Sequence, residues 1–209
     1  GHSTIIFGPT GGGKTELTLN IAMHCLRRGG RVVWITLDDD PGEITERVYS
    51  HMLGRPFRQN HISNPNWASK LLENALPKFP GHFWGEHILP STHTPQDVIR
   101  ELMKLQRHFY VKDKNDTFYD CSNPGQIDMV VIDTADQIRA HRHYQKEWYE
   151  LEKSFEELSR ISPQLGCPVI LTAQAGQEGM GASQMTLRNI SGSFGKNKAA
   201  KLILAVAQT

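Results

Sequence analysis

Thr4-Ile5-Ile6-Phe7-Gly8-Pro9-Thr10-Gly11-Gly12-Gly13-Lys14-Thr15 is the stretch on which the fold turns. Four apolar or β-branched residues lead into Gly8 to Thr15, which fits G-x-x-x-x-G-K-[ST]. A chain that wraps anionic oxygens with backbone N–H groups needs left-handed torsions and close approach, which glycine tolerates. The helix that follows aims its positive N-terminus at the same anion. Lys14 adds a movable positive charge for the β- and γ-phosphates of a nucleotide, and the Thr15 hydroxyl offers one coordination position to Mg2+. Gly8, Pro9, Thr10, Gly11, Gly12, Gly13, Lys14 and Thr15 are therefore the candidate cradle for ATP. A glycine-rich turn meets these fixed positions by chance in roughly one chain of this length in a hundred. The apolar run before it and the amphipathic run after it lower that figure further.

Outward from the loop, strands and helices alternate. A helix is expected from Lys14, with Leu17, Ile21, Ala22, Cys25 and Leu26 on its inner face and Gly29-Gly30 as its stop. Arg31 to Leu37 reads as a strand covered on both faces, because its apolar positions are consecutive. Asp40-Pro41-Gly42-Glu43 opens a helix with an N-cap, a proline at N1 and an acid at N3, and Thr94-Pro95-Gln96-Asp97 repeats that logic. Further strands are expected at His82 to Leu89, Met129 to Asp133, Pro168 to Ala173 and Lys201 to Ala207. A short helix is expected around Trp67 to Ala75, and another through Leu151, Phe155, Leu158 and Ile161. Polar, glycine-containing stretches at Tyr110 to Gly125 and Ala175 to Gly195 read as loops. The alternation predicts one α/β domain with a mostly parallel, twisted sheet flanked by helices.

The acids follow from that frame. Asp133 ends an apolar strand, and at the carboxyl edge of a parallel sheet it can complete the Mg2+ shell begun by Thr15. Asp136 nearby reads as a cap or loop acid. Of Asp38, Asp39 and Asp40, which follow the second strand, Asp40 is the helix cap. Asp38 is the candidate base for the water that attacks the γ-phosphate, with Asp39 next. Gln174, one residue past the PVILTA strand, is a candidate γ-phosphate sensor and completes the catalytic set of Asp38, Lys14 and Gln174. The loop from Ala175 to Gly195, with Gln177, Gln184, Arg188 and Ser191, is a candidate contact for a nucleic-acid backbone. Arg139 to Lys146 (RAHRHYQK) mixes basic and aromatic residues and reads equally as a nucleic-acid contact or a solvated helix approach.

Composition sets the outer limits. A chain of 209 residues with 22% charged and 38% hydrophobic residues suits one globular domain. Its apolar runs are far shorter than a bilayer span, so no membrane partner is expected. Net charge is +1, so no global field draws a polyanion. The three widely spaced cysteines, Cys25, Cys121 and Cys167, suggest a reducing, cytoplasmic setting. Cys25 and Cys167 are expected in the core. His141 and His143 lack nearby co-ligands for zinc, and the Asn-Lys-x-Asp guanine-reading motif is absent. Gly1-His2-Ser3 reads as the remnant of a tag, leaving 4–209 as the domain, with a C-terminal piece expected beyond it.

With FGPTGGGKTELTLNIA, VVWITLDDDPGEITERVYSHMLG, MVVIDTADQI and PVILTAQ in hand, the chain resembles the RecA-like P-loop ATPase core of DnaB-type hexameric replicative helicases and their phage relatives. That resemblance implies an ATP-dependent DNA helicase or translocase motor of bacterial or phage-infected cytoplasm. ATP and Mg2+ would sit between subunits of a hexameric ring, and two loops would line a channel holding single-stranded DNA. In the family a glutamate acts as base within Ser-Leu-Glu-Met. Thr36-Leu37-Asp38-Asp39 takes those places here, and Asp38 is one methylene shorter. In the family a basic residue near or after the last strand acts as an arginine finger on the neighbouring subunit's ATP. No arginine follows Lys201, so the resemblance places the finger beyond Thr209 or gives its role to Lys196 or Lys201. Two other expectations remain open: a RecA-type recombinase or strand-annealing ATPase, and a nucleotide-gated regulatory oligomer with slow hydrolysis.

Overall fold

The computed structural model describes residues 2–57, 70, 73–108, 126–176, 186 and 199–207. In chain order the elements are β1 (Ser3–Gly8), α1 (Lys14–Arg27), β2 (Arg31–Thr36), α2 (Pro41–Leu53), a 3-10 turn (Leu76–Lys78) and β3 (His82–His87). Then come α3 (Pro95–His108), β4 (Met129–Asp133), a 3-10 turn (Ala135–Gln137), α4 (Glu147–Ser159), α5 (Ile161–Leu165), β5 (Val169–Gln174) and β6 (Leu202–Ala205). The strands form one sheet in the order β3-β2-β4-β5-β1-β6, and every pairing is parallel.

Helices cover both faces, which explains why β2 and β4 are apolar at consecutive positions. Ile5, Phe7, Val33, Ile35, Val130 and Ile132 point into one core with α3, α4 and α5. Ile6, Val32, Trp34, Met129 and Val131 point into the other, against Leu19, Ala22 and Leu26 of α1 and Ile44 and Val48 of α2. The caps form as the sequence indicates. The Asp40 side chain accepts from Gly42 N at 2.7 Å, and Asp97 accepts from both the N–H and the hydroxyl of Thr94.

Four expectations need correction. The buried face of α1 is Lys14, Thr18, Leu19, Ala22, Met23 and Leu26, whereas Leu17 is 37% exposed and Ile21 and Cys25 are only half-buried. Both sets have helical spacing, and the phase is decided by Lys14, which has to turn inward beneath the loop. β3 ends at His87, and Leu89 is exposed. β6 is shorter than Lys201 to Ala207, and as an edge strand it leaves Leu202 exposed. The helix through Ile161 is two helices, because the ring of Pro163 would meet the carbonyl of Ser159 in a continuous one. Most of Trp67 to Ala75, all of Tyr110 to Gly125 with Cys121, Lys196 and most of Ala175 to Gly195 lie outside the described residues.

Candidate functional site

The parallel register brings the candidate residues to one edge. Gly8 at the end of β1 pairs with Gln174 at the end of β5, and Thr36 at the end of β2 pairs with Asp133 at the end of β4. β2, β4, β5 and β1 are consecutive neighbours, so these four ends form a row at the carboxyl edge, where open α/β sheets bind ligands.

The loop after β1 is shaped by close backbone approach. A Cβ on Gly8 would lie 2.5 Å from the carbonyl oxygen of Val206, which follows β6. Gly13, the N-cap residue before α1, has φ +89°, a torsion that side-chain-bearing residues rarely adopt. Lys14 folds back under this loop with 8% exposure, its Nζ donating to the carbonyls of Gly8 at 3.0 Å and Pro9 at 2.8 Å. Burial lowers the Lys14 pKa, and the carboxylates of Asp133, Asp136 and Asp38 oppose that shift.

Thr15 and Asp133, 118 positions apart, are in contact: Thr15 Oγ1 donates to Asp133 Oδ2 at 2.9 Å. Thr172 donates to the other oxygen, Oδ1. Burial raises the Asp133 pKa, and the two threonine hydroxyls pull it back. A hydroxyl and a carboxylate held together at a helix N-terminus are the hard oxygen donors that Mg2+ takes, so the donor set fits that ion.

Asp38 stands across from Thr134, whose Oγ1 donates to Asp38 Oδ2 at 2.9 Å, while the amide nitrogen of Gln137 donates to Oδ1. Asp39 borders the same cleft as Asp38 and is held by other partners. Its N–H bonds Thr36 Oγ1 at 3.0 Å and its carboxylate lies 3.5 Å from Arg47. Gln174 is fixed through its own N–H, which donates to Asp136 at 2.6 Å. A cleft of about 480 Å³ runs between Thr10, Lys14, Thr15, Asp38, Asp133 and Gln174, within the size range of small-molecule and cofactor sites. The phosphate, Mg2+ and catalytic candidates thus meet in one place, whereas Lys201, whose N–H bonds Ser3 O at the start of β1, lies at the opposite edge of the sheet.

Sequence reading missed Thr172, Thr134, Gln137 and Arg47. Thr172 carried a faint signal as the lone hydroxyl inside the apolar PVILTA run. Asp136, set aside as a cap, instead holds the end of β5. Arg139, His143 and Tyr144 of the RAHRHYQK stretch line a second cleft beside Gln137, with His143 Nδ1 3.2 Å from Glu150.

These parts define a P-loop nucleotide-binding domain on a parallel α/β sheet, the class whose cradle, hydroxyl and strand-end acid meet at a sheet edge. A family described as AAA domain matches residues 1–180, and the chain belongs to that family, which places it among ATP-hydrolysing enzymes. No curated protein matches it in sequence. Among solved structures it is similar to one described as an ATPase domain, with TM-score 0.73 and 13% identity, covering 98% of this chain and 68% of that one. It is also similar to a DnaB-like replicative helicase described with its interactions with primase, with TM-score 0.67 and 13% identity, covering 97% of this chain and 46% of that one. The chain therefore spans about two thirds of the first and under half of the second. At that identity the likeness concerns the fold, which is RecA-like.

Proposed function

We propose that this domain is the motor of an ATP-dependent DNA helicase or translocase, working as a ring around single-stranded DNA. The observation that carries the reading is the 2.9 Å bond between Thr15 and Asp133 at the mouth of the glycine cradle, with Asp38 and Gln174 lining the same cleft. The backbone of Gly8 to Thr15 would hold the phosphates of ATP, and Lys14 would leave the Gly8 and Pro9 carbonyls for the β/γ oxygens. Thr15 and Asp133 would hold Mg2+, which neutralises charge on the phosphates. Asp38 takes a proton from the attacking water as the new P–O bond forms at the γ-phosphorus and the bond to the ADP oxygen breaks. Gln174 reads the γ-phosphate and passes its loss to the segment that follows β5. The fold's likeness to a DnaB-like replicative helicase supports the choice of a DNA motor.

The test is ATP hydrolysis by the full chain with and without single-stranded DNA, together with unwinding of a forked duplex. Asp38→Asn is expected to keep nucleotide affinity and to lower kcat by about 10²–10⁴-fold, the usual contribution of a positioned base. An undiminished rate removes Asp38 from the mechanism. One observation favours a second reading. Both oxygens of Asp38 already accept hydrogen bonds, which suits a nucleotide-gated oligomer that hydrolyses slowly. ATP-dependent assembly without DNA stimulation would select that reading over the motor.

A further inference from the structure

Gln137 closes the 3-10 turn after β4 and reaches back to Asp38. A carboxylate only accepts hydrogen bonds, so the amide has to face it with nitrogen. That orientation leaves Gln137 Oε1 buried and without a hydrogen-bond partner. A buried amide oxygen lacking a donor is unfavourable. The contact with Asp38 is thus made at the expense of the other end of the same group. Gln137 also borders the second cleft, of about 320 Å³, whose lining includes the donor-bearing side chains of Ser91, Arg139, His143 and Tyr144.

The two donors to Asp38 are placed differently. Thr134 lines the nucleotide cleft, whereas Gln137 does not and lines the second cleft instead. Turning Gln137 away would leave all the acceptor capacity of Oδ1 to a water while Thr134 continued to orient the carboxylate through Oδ2.

We propose that Gln137 is a releasable tether that withholds Asp38 from the attacking water until its side chain turns toward the second cleft. The inference rests on Asp38 acting as the base. Gln137 touches neither nucleotide nor water and acts through Asp38, so it is a positioning residue. Its satisfied and unsatisfied ends give it two alternative arrangements, which is what a coupling element between two clefts requires.

The experiment measures kcat and KM for ATP with the full chain as wild type, Gln137→Leu, Asp38→Asn and the double variant. Leucine keeps the bulk and has no donor. Gln137→Leu is expected to raise kcat about tenfold, equivalent to about 1.4 kcal/mol, with KM unchanged. Its thermal midpoint should not fall, because the unpartnered oxygen is gone. The double variant should be as slow as Asp38→Asn alone, since the effect passes through that carboxylate. Gln137→Met, which keeps the length and carries no N–H donor, should accelerate in the same direction and covers the case that leucine misfolds. An unchanged or slower Gln137→Leu enzyme, or acceleration that survives in the double variant, overturns the tether while leaving the base intact. A wild-type rate in Asp38→Asn overturns both.

Discussion

Replacing Lys14 by methionine separates what this residue does for the fold from what it does for a triphosphate. In the folded chain its Nζ donates to two carbonyls, and each of those carbonyls has another donor: Ala175 N reaches Gly8 O at 2.9 Å, and Gly12 N reaches Pro9 O at 3.0 Å. Removing the ammonium therefore orphans no acceptor. Two hydrogen bonds from a charged donor contribute about 1.5–3 kcal/mol each, and burying the charge costs several kcal/mol, so the terms nearly cancel. The lowered pKa of Lys14 is the signature of that burial. Methionine keeps the apolar stem, so the ligand-free protein should change by no more than about 1 kcal/mol, or about 2–4 °C in Tm.

The bound state behaves differently. A charge-assisted contact with phosphate worth about 3 kcal/mol corresponds to over a hundredfold in Kd. At 100 times its own Kd, Mg·ATP should stabilise the wild type by about 2.7 kcal/mol, a rise of about 5–11 °C. The variant at the same concentration should gain only about 0.3–0.4 kcal/mol, under about 2 °C, by the same relation. Thermal unfolding of both proteins with and without Mg·ATP measures this directly. An equal ligand shift in the two proteins, or a drop of more than about 10 °C without ligand, refutes the reasoning.

Three further expectations follow from the same geometry. Burial holds the Asp133 pKa above that of the unfolded chain, so the folded protein binds the proton more tightly and its stability falls as pH rises through the ordinary carboxylate range toward the folded value. Asp133→Asn should therefore match or exceed the wild type in ligand-free Tm near neutral pH, the gap closing in acid, while losing its Mg·ATP shift. A uniformly destabilised variant would refute this. Thr172→Val removes one of the two hydroxyl donors to the buried Asp133 and should cost about 1–3 kcal/mol in urea unfolding, with weaker Mg2+ dependence of nucleotide binding. Gly8→Ala puts a methyl against the backbone oxygen of Val206 and should cost about 1–3 kcal/mol, since that backbone has to move. An undestabilised Gly8→Ala protein would show that β6 yields freely.

Much of this was legible without coordinates wherever the physical cause is local. The cradle depends on consecutive residues, as do the caps at Asp40 and Thr94, because torsions and short side-chain-to-backbone bonds are settled within a turn. Continuous apolar runs likewise announced strands buried on both faces. The phase of α1 was not legible: two apolar stripes had helical spacing, and the inward turn of Lys14 chose between them. The partners of the strand-end acids were not legible either. Thr172 meets Asp133, and Thr134 and Gln137 meet Asp38, because β2, β4 and β5 are adjacent and in a particular register. Strand order is decided by how whole elements pack on the sheet. The identity of each reactive group was thus written in the chain. Which neighbour holds it, and whether that neighbour helps or restrains it, arose only when distant strands came side by side.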